Sequence, residues 1–463
     1  MALARRKDQN SYFGRITRLK KLFWLYVLLL IFEGTLRKWL VPQLSGPLLI
    51  IRDPVGIMII WEAYRTNKWP ERWSAVVSLL TVLLVGLFAL QIIAGGNPLI
   101  AGLYGLRSFL LPFPVLFIMG ENLDEEDLRK FGACTLWLML PMALLEVGQY
   151  VSPSTSFLNK GAYEGGKQIG FVGAHVRASG TFSFAIGVTH FCTLAGAFIF
   201  YGMVRTGFAK NWMLWASAFA LVLSIPMNGA RALVAQLAAV ICCVALGAVM
   251  GVSQFVKAIR VIVPLVIVAF LVSLLPVFSD AMSNLSERLF TGEGGTVQQS
   301  LIIRIFQPAV NAFEGVDSAS NWMGIGMGRG AVAVNALLVG TNEAVAGEDE
   351  FSRELVEMGP IAGIAFGLFK LFLAIAIFGR AMARARDHEP LALLLLPLAI
   401  VTLFIGIPEQ PTVQGFMVIS MAFCIAATKI QVQTVRHAFP LAFRRQSVLY
   451  RPRVQRRRMG HTT

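Results

Sequence analysis

Glu348-Asp349-Glu350-Phe351-Ser352-Arg353-Glu354-Leu355-Val356-Glu357-Met358-Gly359-Pro360 closes a segment, residues 279–357, caught between two long apolar runs and unlike them in composition. The segment also holds Glu287, Arg288, Arg304, Glu314 and Arg329, so chemistry is to be sought here. A stretch of about eighty residues with no apolar span is uncommon unless it is functional or disordered. Its tryptophan, phenylalanines and regular glycines argue against disorder. The expectation is a folded, helical, extracytoplasmic cap over residues 279–359, standing above a membrane cavity.

Composition explains why the rest reads as membrane. Of 463 residues, 56% are hydrophobic and 14% charged, and the mean hydropathy is +0.66, so most of the chain belongs in lipid rather than around a water-soluble core. A formal charge of +15 would suit nucleic acid, but the basic residues stand at the ends of apolar runs instead of on one soluble face. Positive-inside topology accounts for them, and no nucleic-acid partner is expected. The five cysteines, Cys134, Cys192, Cys242, Cys243 and Cys424, all fall inside apolar runs without ligand spacing. They predict neither a disulfide framework nor a zinc site.

In chain order the apolar runs predict an all-α integral membrane protein with about twelve spans. Residues 1–21 are basic, with Arg5, Arg6, Lys7, Arg15, Arg18, Lys20 and Lys21 ahead of the run 22–32. Glu33, Arg37, Lys38 and Trp39 follow instead of a cleavage site, which predicts an uncleaved first helix entering from the cytosol. Glu33 and Arg37 have the spacing of a helical pair, and Lys38 and Trp39 suit the outer interface. Further spans are expected at 47–64, 73–94, 99–119, 131–150, 184–204, 212–225, 232–252, 261–278, 360–378, 390–407 and 413–428. The second is interrupted by Arg52-Asp53-Pro54, which belongs at the interface or faces a polar cavity. The fourth contains Arg107, Pro112 and Pro114 and should be kinked, and 121–130 reads as a short amphipathic cytosolic piece. A first external loop spans 151–183, the cap lies between spans nine and ten, and the tail 429–463 is basic. Most of the 41 lysines and arginines fall in segments this topology assigns to the cytosol, with both termini inside.

External arginines run against that bias. Arg177 stands in Arg177-Ala178-Ser179-Gly180-Thr181-Phe182 before span six, Arg231 follows the short connection after span seven, and Arg304 lies in Arg304-Ile305-Phe306-Gln307-Pro308-Ala309 of the cap. Guanidinium grips phosphate bidentately and keeps its charge, so three arginines at the mouths of different elements suit a pyrophosphate. The competing reading is that each anchors a helix end or pairs with a loop carboxylate.

These features resemble the superfamily of bacterial O-antigen ligases, O-antigen polymerases and exopolysaccharide polymerases. The resemblance rests on the Arg-x-x-Gly-Thr-Phe element at 177–182, on Arg231, on Arg304, on the Gly324, Gly326, Gly328 repeat and on the acidic close of the cap. Glu33-Gly34-Thr35-Leu36-Arg37-Lys38-Trp39 and Arg52-Asp53-Pro54 are similar to the exopolysaccharide-polymerase branch. Where ligases begin the last element with His-Asn, this chain has Glu348 and Asp349, so a histidine mechanism does not carry over. The resemblance implies a bacterial inner-membrane glycan polymerase that draws on an undecaprenyl-pyrophosphate-linked glycan donor and a glycan acceptor, inverting the anomeric centre without metal or other cofactor. It also implies partners among polysaccharide chain-length regulators and export proteins, besides the bilayer. Arg177, Arg231 and Arg304 would hold the pyrophosphate, and Glu348, Asp349, Glu350 and Glu357 are the candidates for the base that takes the acceptor proton. A ligase moving glycan to lipid or protein, and a transporter or flippase of the same lipid-linked sugar, remain the alternatives.

Other signals are weaker. Gly324-x-Gly326-x-Gly328-x-Gly330 is only superficially like a nucleotide fingerprint, since no strand precedes it, and reads as a close-packed turn. His190 reads as a buried hydrogen-bonding residue, and Lys370 as snorkelling or neutralising a carboxylate. The topology is open to a direct check. Single cysteines introduced within 279–357 should react with a membrane-impermeant thiol reagent in intact spheroplasts, whereas a cysteine beside Arg384 should stay protected until lysis; the reverse pattern overturns the orientation.

Overall fold

A computed structural model describes residues 2–162, 171–172, 175–205, 207–250, 276–290, 322–331, 334, 350–404 and 410–430. Thirteen α-helices are described: α1 (Ala2–Thr35), α2 (Arg52–Arg65), α3 (Glu71–Ile93), α4 (Leu99–Leu110), α5 (Pro112–Asn122), α6 (Glu125–Val151), α7 (Ala185–Val204), α8 (Asn211–Asn228), α9 (Arg231–Val249), α10 (Pro276–Phe290), α11 (Glu350–Arg386), α12 (Leu391–Phe404) and α13 (Pro411–Ala427). One small antiparallel hairpin pairs β1 (Phe171–Val172) with β2 (His175–Val176), with Val172 opposite His175. Arg304, Glu348, Asp349, the side chain of Glu350, most of the expected ninth span and the tail beyond Ile430 lie outside the described residues.

The chain is a mostly helical, membrane-embedded protein. Among the described residues, six helices are long and apolar enough to cross a bilayer: Glu71–Ile93, Leu99–Asn122 with α4 and α5 taken together, Glu125–Val151, Ala185–Val204, Arg231–Val249 and Arg353–Arg386. Among the other expected spans, α12 and α13 are shorter apolar helices, and α2 has only 14 residues, about 21 Å of rise against a hydrocarbon core of about 30 Å. A three-residue-per-turn helix at Pro47–Ile50 takes up the chain that was expected to begin the second span.

Solvation sorts the helices into layers. Nearly every residue of α7, α12 and α13 is buried, as is most of α5, which is how helices apolar on all sides behave when other helices surround them. Around them α3, α9 and the long part of α11 turn apolar side chains outward, including Leu79, Val82, Ile93, Leu368, Phe372 and Ile375. Such a belt suits lipid. Pro112 and Pro114 carry no amide proton, so the hydrogen-bond ladder breaks at Leu111 between α4 and α5, as the prolines predicted.

Contacts at the helix ends show successive helices running in opposite directions. At one end Lys20 meets Asp124 and Asp127 at 2.6 and 2.7 Å, Arg205 meets Glu125 at 2.9 Å and also Glu389, and Lys429 donates to the Glu121 carbonyl at 2.6 Å. The stretch 121–130, expected as a separate cytosolic piece, is mostly the first turns of α6. Asp124 caps that helix, its side chain accepting from the Asp127 amide at 2.9 Å while Asp127 accepts from the Asp124 amide at 3.1 Å.

At the other end the close of α1 meets the segment leading into α7. Gly34 lies directly against the backbone of Thr181, Phe182 and Ser183, and no side chain fits between them. Gly34→Ala should therefore destabilise the protein by about 2 kcal/mol through overpacking, despite the roughly 1 kcal/mol that alanine gains in a helix. Gly86→Ala, where an added methyl group meets nothing within 4 Å, should be tolerated; thermal unfolding of both variants in detergent checks the contrast.

Candidate functional site

The end of α1 continues into one turn of π-helix, Leu36–Leu40, and this turn holds two buried cations. The Arg37 guanidinium donates to the Ser45 carbonyl at 2.8 Å, to Ser183 Oγ at 2.8 Å and to the Ala162 carbonyl at 3.3 Å, with Glu33 at 3.6 Å. Lys38 Nζ donates to Ser179 Oγ at 3.0 Å and to the Gly180 carbonyl at 2.7 Å. Lys38 was expected at the outer interface. The structure buries it, because Ser179 and Gly180 supply the acceptors that water would otherwise provide. Burial lowers its pKa to about 7. Trp39 stays more exposed and donates to the Phe157 carbonyl at 2.9 Å.

Each residue of Arg177-Ala178-Ser179-Gly180-Thr181-Phe182 has a place. Thr181 Oγ1 donates to the Ile31 carbonyl at 2.8 Å, tying the segment to α1. Phe182 enters the core beside Phe191 and Phe416. The Ser179 and Gly180 amides both donate to Gln149 Oε1 of α6, at 3.0 and 2.8 Å. Arg177 Nε donates to the Asn228 carbonyl at 3.0 Å, which ends α8, and Gly229 then turns through φ 59° so that α9 begins at Arg231. Arg177 therefore does anchor a helix end, and that end is the one leading to Arg231. Arg231 itself is exposed, and among the described residues no hydrogen bond or ion pair engages it.

The charges continue sideways from Arg37. Glu33 pairs with Arg52 Nε at 3.2 Å, and Arg52 also donates to the Pro411 carbonyl at the head of α13. Asp53, next to Arg52, pairs with Arg107 of α4. Arg52 is therefore buried among protein partners, while Asp53 and Arg107 pair half-buried. Arginine suits such positions because its fork can satisfy several acceptors at once.

A second polar group forms where the glycine repeat meets the close of the cap. Gly324, Gly326 and Gly328 take φ values of 71°, 114° and 82°, which favour glycine. The turn they form packs on α4 and α11. Glu357, fully buried, accepts from the amides of Gly328 at 2.7 Å and Gly330 at 3.0 Å, while Arg353 donates to the Gly330 carbonyl at 2.7 Å. Gln91 of α3 closes the arrangement, donating to the Met323 and Glu357 carbonyls at 2.6 and 2.8 Å and accepting from the Met327 amide at 2.8 Å. The close-packed turn expected from the glycines is present.

α11 bends sharply at Gly359, whose φ is 79°. Lys370 Nζ meets Glu354 Oε1 at 2.5 Å, although sixteen residues along a straight helix would separate them by about 24 Å. Residues 350–358 therefore fold back along the longer part of α11, which also sets Phe351 beside Gly367. The sequence allowed Lys370 to snorkel or to neutralise a carboxylate, and the second holds. His190 is buried, with Nδ1 3.3 Å from Gln236 Oε1.

Of the seven candidate residues, the structure brings Arg177 and the start of α9 at Arg231 to one corner and places Glu357 in the glycine turn. α4 touches both groups, since Gly105 lies against Met327 and Gly328 while Arg107 reaches Asp53. Sequence reasoning missed Gln91, Gln149 and Asn228, which organise these turns. A lone amide side chain near the end of an apolar run is costly unless it is paired, and that was the available signal. No protein-family model matches the chain, and no curated protein matches it. Glu357→Ala should lower stability by on the order of 3 kcal/mol, because two buried amides lose their acceptor and Arg353 loses the carboxylate 3.8 Å from it, and Glu357→Gln by less; unchanged thermal unfolding of both would remove the anchoring role.

Proposed function

We propose that this chain is a glycan polymerase of the bacterial inner membrane. It would join undecaprenyl-pyrophosphate-linked repeat units at the external face, with about twelve spans and both termini in the cytosol. The observation that supports this most is the docking of the 177–182 element on the end of α1 at 33–39. Two stretches that separately resemble the polymerase superfamily are joined there through Lys38, which donates to Ser179 and Gly180, through Thr35, which donates to the Thr181 carbonyl, and through Gly34 against the backbone of Thr181 and Phe182. Around them basic side chains gather at one end of an apolar bundle, where a lipid-borne pyrophosphate would arrive.

The chemistry follows from charge. As the glycosidic bond breaks, negative charge grows on the leaving pyrophosphate, and cations already in place stabilise that state more than the ground state. Arg231, exposed at the start of α9, takes the contact, with the helix N-terminus adding its partial positive charge. Arg177 holds the helix end that presents Arg231, and Arg304 joins from the cap. Glu357 is committed to the glycine turn, so the acceptor proton passes to Glu348, Asp349 or Glu350. The break between α4 and α5 and the bend at Gly359 favour a second reading, a transporter of the same lipid-linked sugar, since secondary transporters build their sites from interrupted helices.

Reconstitution with a lipid-linked repeat unit separates the readings: a product ladder marks a polymerase, single transfer to a non-glycan acceptor a ligase, and movement across the bilayer without bond formation a transporter. Within the polymerase reading, Arg231→Ala and Arg304→Ala should each cost on the order of 3 kcal/mol of barrier, roughly a hundredfold in rate. The lysine variants should fall between, having charge without the bidentate fork. Normal extension by well-folded alanine variants at both positions refutes the pyrophosphate role.

A further inference from the structure

Lys38 differs from the other buried cations near it. Arg37 and Arg52 share Glu33, and Arg107 has Asp53, but among the described residues Lys38 pairs with no carboxylate. Its amine, 1% exposed, rests on two neutral acceptors, Ser179 Oγ and the Gly180 carbonyl, and on the face of the Trp39 ring 4.7 Å away. Those acceptors sit in the turn that follows Arg177.

The connection runs through short steps. Lys38 fastens Ser179 and Gly180 to the end of α1. Gln149 fastens the amides of the same two residues to α6. Only Ala178 lies between Ser179 and Arg177, and Arg177 holds the last carbonyl of α8 at Asn228, three positions before Arg231. Without the lysine amine, Ser179 Oγ and the Gly180 carbonyl each lose a charged donor, while Gln149 keeps both amides and a longer bond to the Gly180 carbonyl at 3.3 Å, so the turn loosens without being removed.

We propose that Lys38 is a positioning residue of the anion grip: by fastening Ser179 and Gly180 it sets where Arg177 and, through the Asn228 carbonyl, the Arg231 end of α9 stand. This rests on the reading that a lipid pyrophosphate binds at this end. The charged and titratable groups on the elements around Lys38 are Glu33 and Arg37 at its own helix end, His175 and Arg177 on the segment leading to α7, and Glu146 and Tyr150 on α6. Burial is what lowers the pKa of Lys38, to about 7. An anion seated nearby favours the charged amine, so binding takes up a proton. Below about pH 7 the amine is already charged and affinity is full; as pH rises past that point the free protein loses the proton and affinity falls.

The test uses the full chain in nanodiscs and a synthetic short-prenyl pyrophosphoryl sugar, whose doubly esterified pyrophosphate does not itself titrate in this range. Affinity is measured at about pH 6 and about pH 9 for wild type, Lys38→Met and Lys38→Arg, with hydrogen exchange followed across 177–183. Wild-type affinity should fall about tenfold over that range. Lys38→Met should bind weakly at both pH values and exchange faster at Ser179 and Gly180. Lys38→Arg, whose charge does not titrate there, should bind with no pH dependence. Wild-type affinity and exchange in a folded Lys38→Met protein overturn the proposal. If the methionine variant does not fold, a wild-type pH profile in Lys38→Arg overturns it instead. A wild type that does not bind the probe at either pH overturns the functional reading, an outcome distinct from a wild type that binds and a lysine that makes no difference.

Discussion

A charge taken out of water has to find its partner inside the protein, and at the polar end of this bundle Glu33 meets that demand for several parts of the chain. The carboxylate is 2% exposed and stands between Arg37 at 3.6 Å and Arg52 at 3.2 Å. Arg52 reaches on to the Pro411 carbonyl at the head of α13, and Arg37 reaches Ser183 just before α7. Four stretches of chain thus converge on one acid. Removing any partner would leave an uncompensated buried charge, which is far more costly than never having buried the pair. The positions of α1, α2, α7 and α13 at this end are consequently coupled.

The glycine turn answers the same demand with backbone groups. Irregular backbone that is buried needs its polar groups satisfied by the protein, and Glu357, Arg353 and Gln91 do so for residues 323–330. The bend at Gly359 brings Glu357 and Arg353 to that turn and at the same time brings Glu354 to Lys370. Acidic residues that looked available for proton transfer therefore divide. Glu357, one of the four candidates, is held in the turn, and Glu354, which was not one of them, by Lys370; the proposed base is thereby sought among Glu348, Asp349 and Glu350.

Charge is organised differently at the two ends. At the end with Lys20, Arg205 and Lys429, the partners are loop carboxylates and carbonyls near the surface, including Asp124 and Glu125. At the other end Arg37, Lys38 and Arg52 are buried, and Arg231 is left exposed beside them. At the second end, three buried cations are held in place by protein acceptors, which preorganises their charge toward an approaching anion. That asymmetry is why the proposed chemistry is assigned to the close of α1 and the α8–α9 turn.

The sequence by itself determined the features that depend on a residue and its near neighbours. Apolar runs specify helices because a lipid-facing backbone must satisfy its own hydrogen bonds; Pro112 specifies the break after α4 because it has no amide to donate; the spacing of Glu33 and Arg37 specifies their pair. The glycine repeat was legible as a turn for the same local reason. Only the tertiary structure decided that Lys38 goes inward, that Arg177 holds Asn228, and that Glu357 accepts two glycine amides. It also turned the expected piece at 121–130 into the capped start of α6. Whether a polar side chain is buried depends on a partner delivered from elsewhere in the chain: Lys38 is buried because Gly180 and Ser179 come to it, and nothing near position 38 in the sequence records that they will.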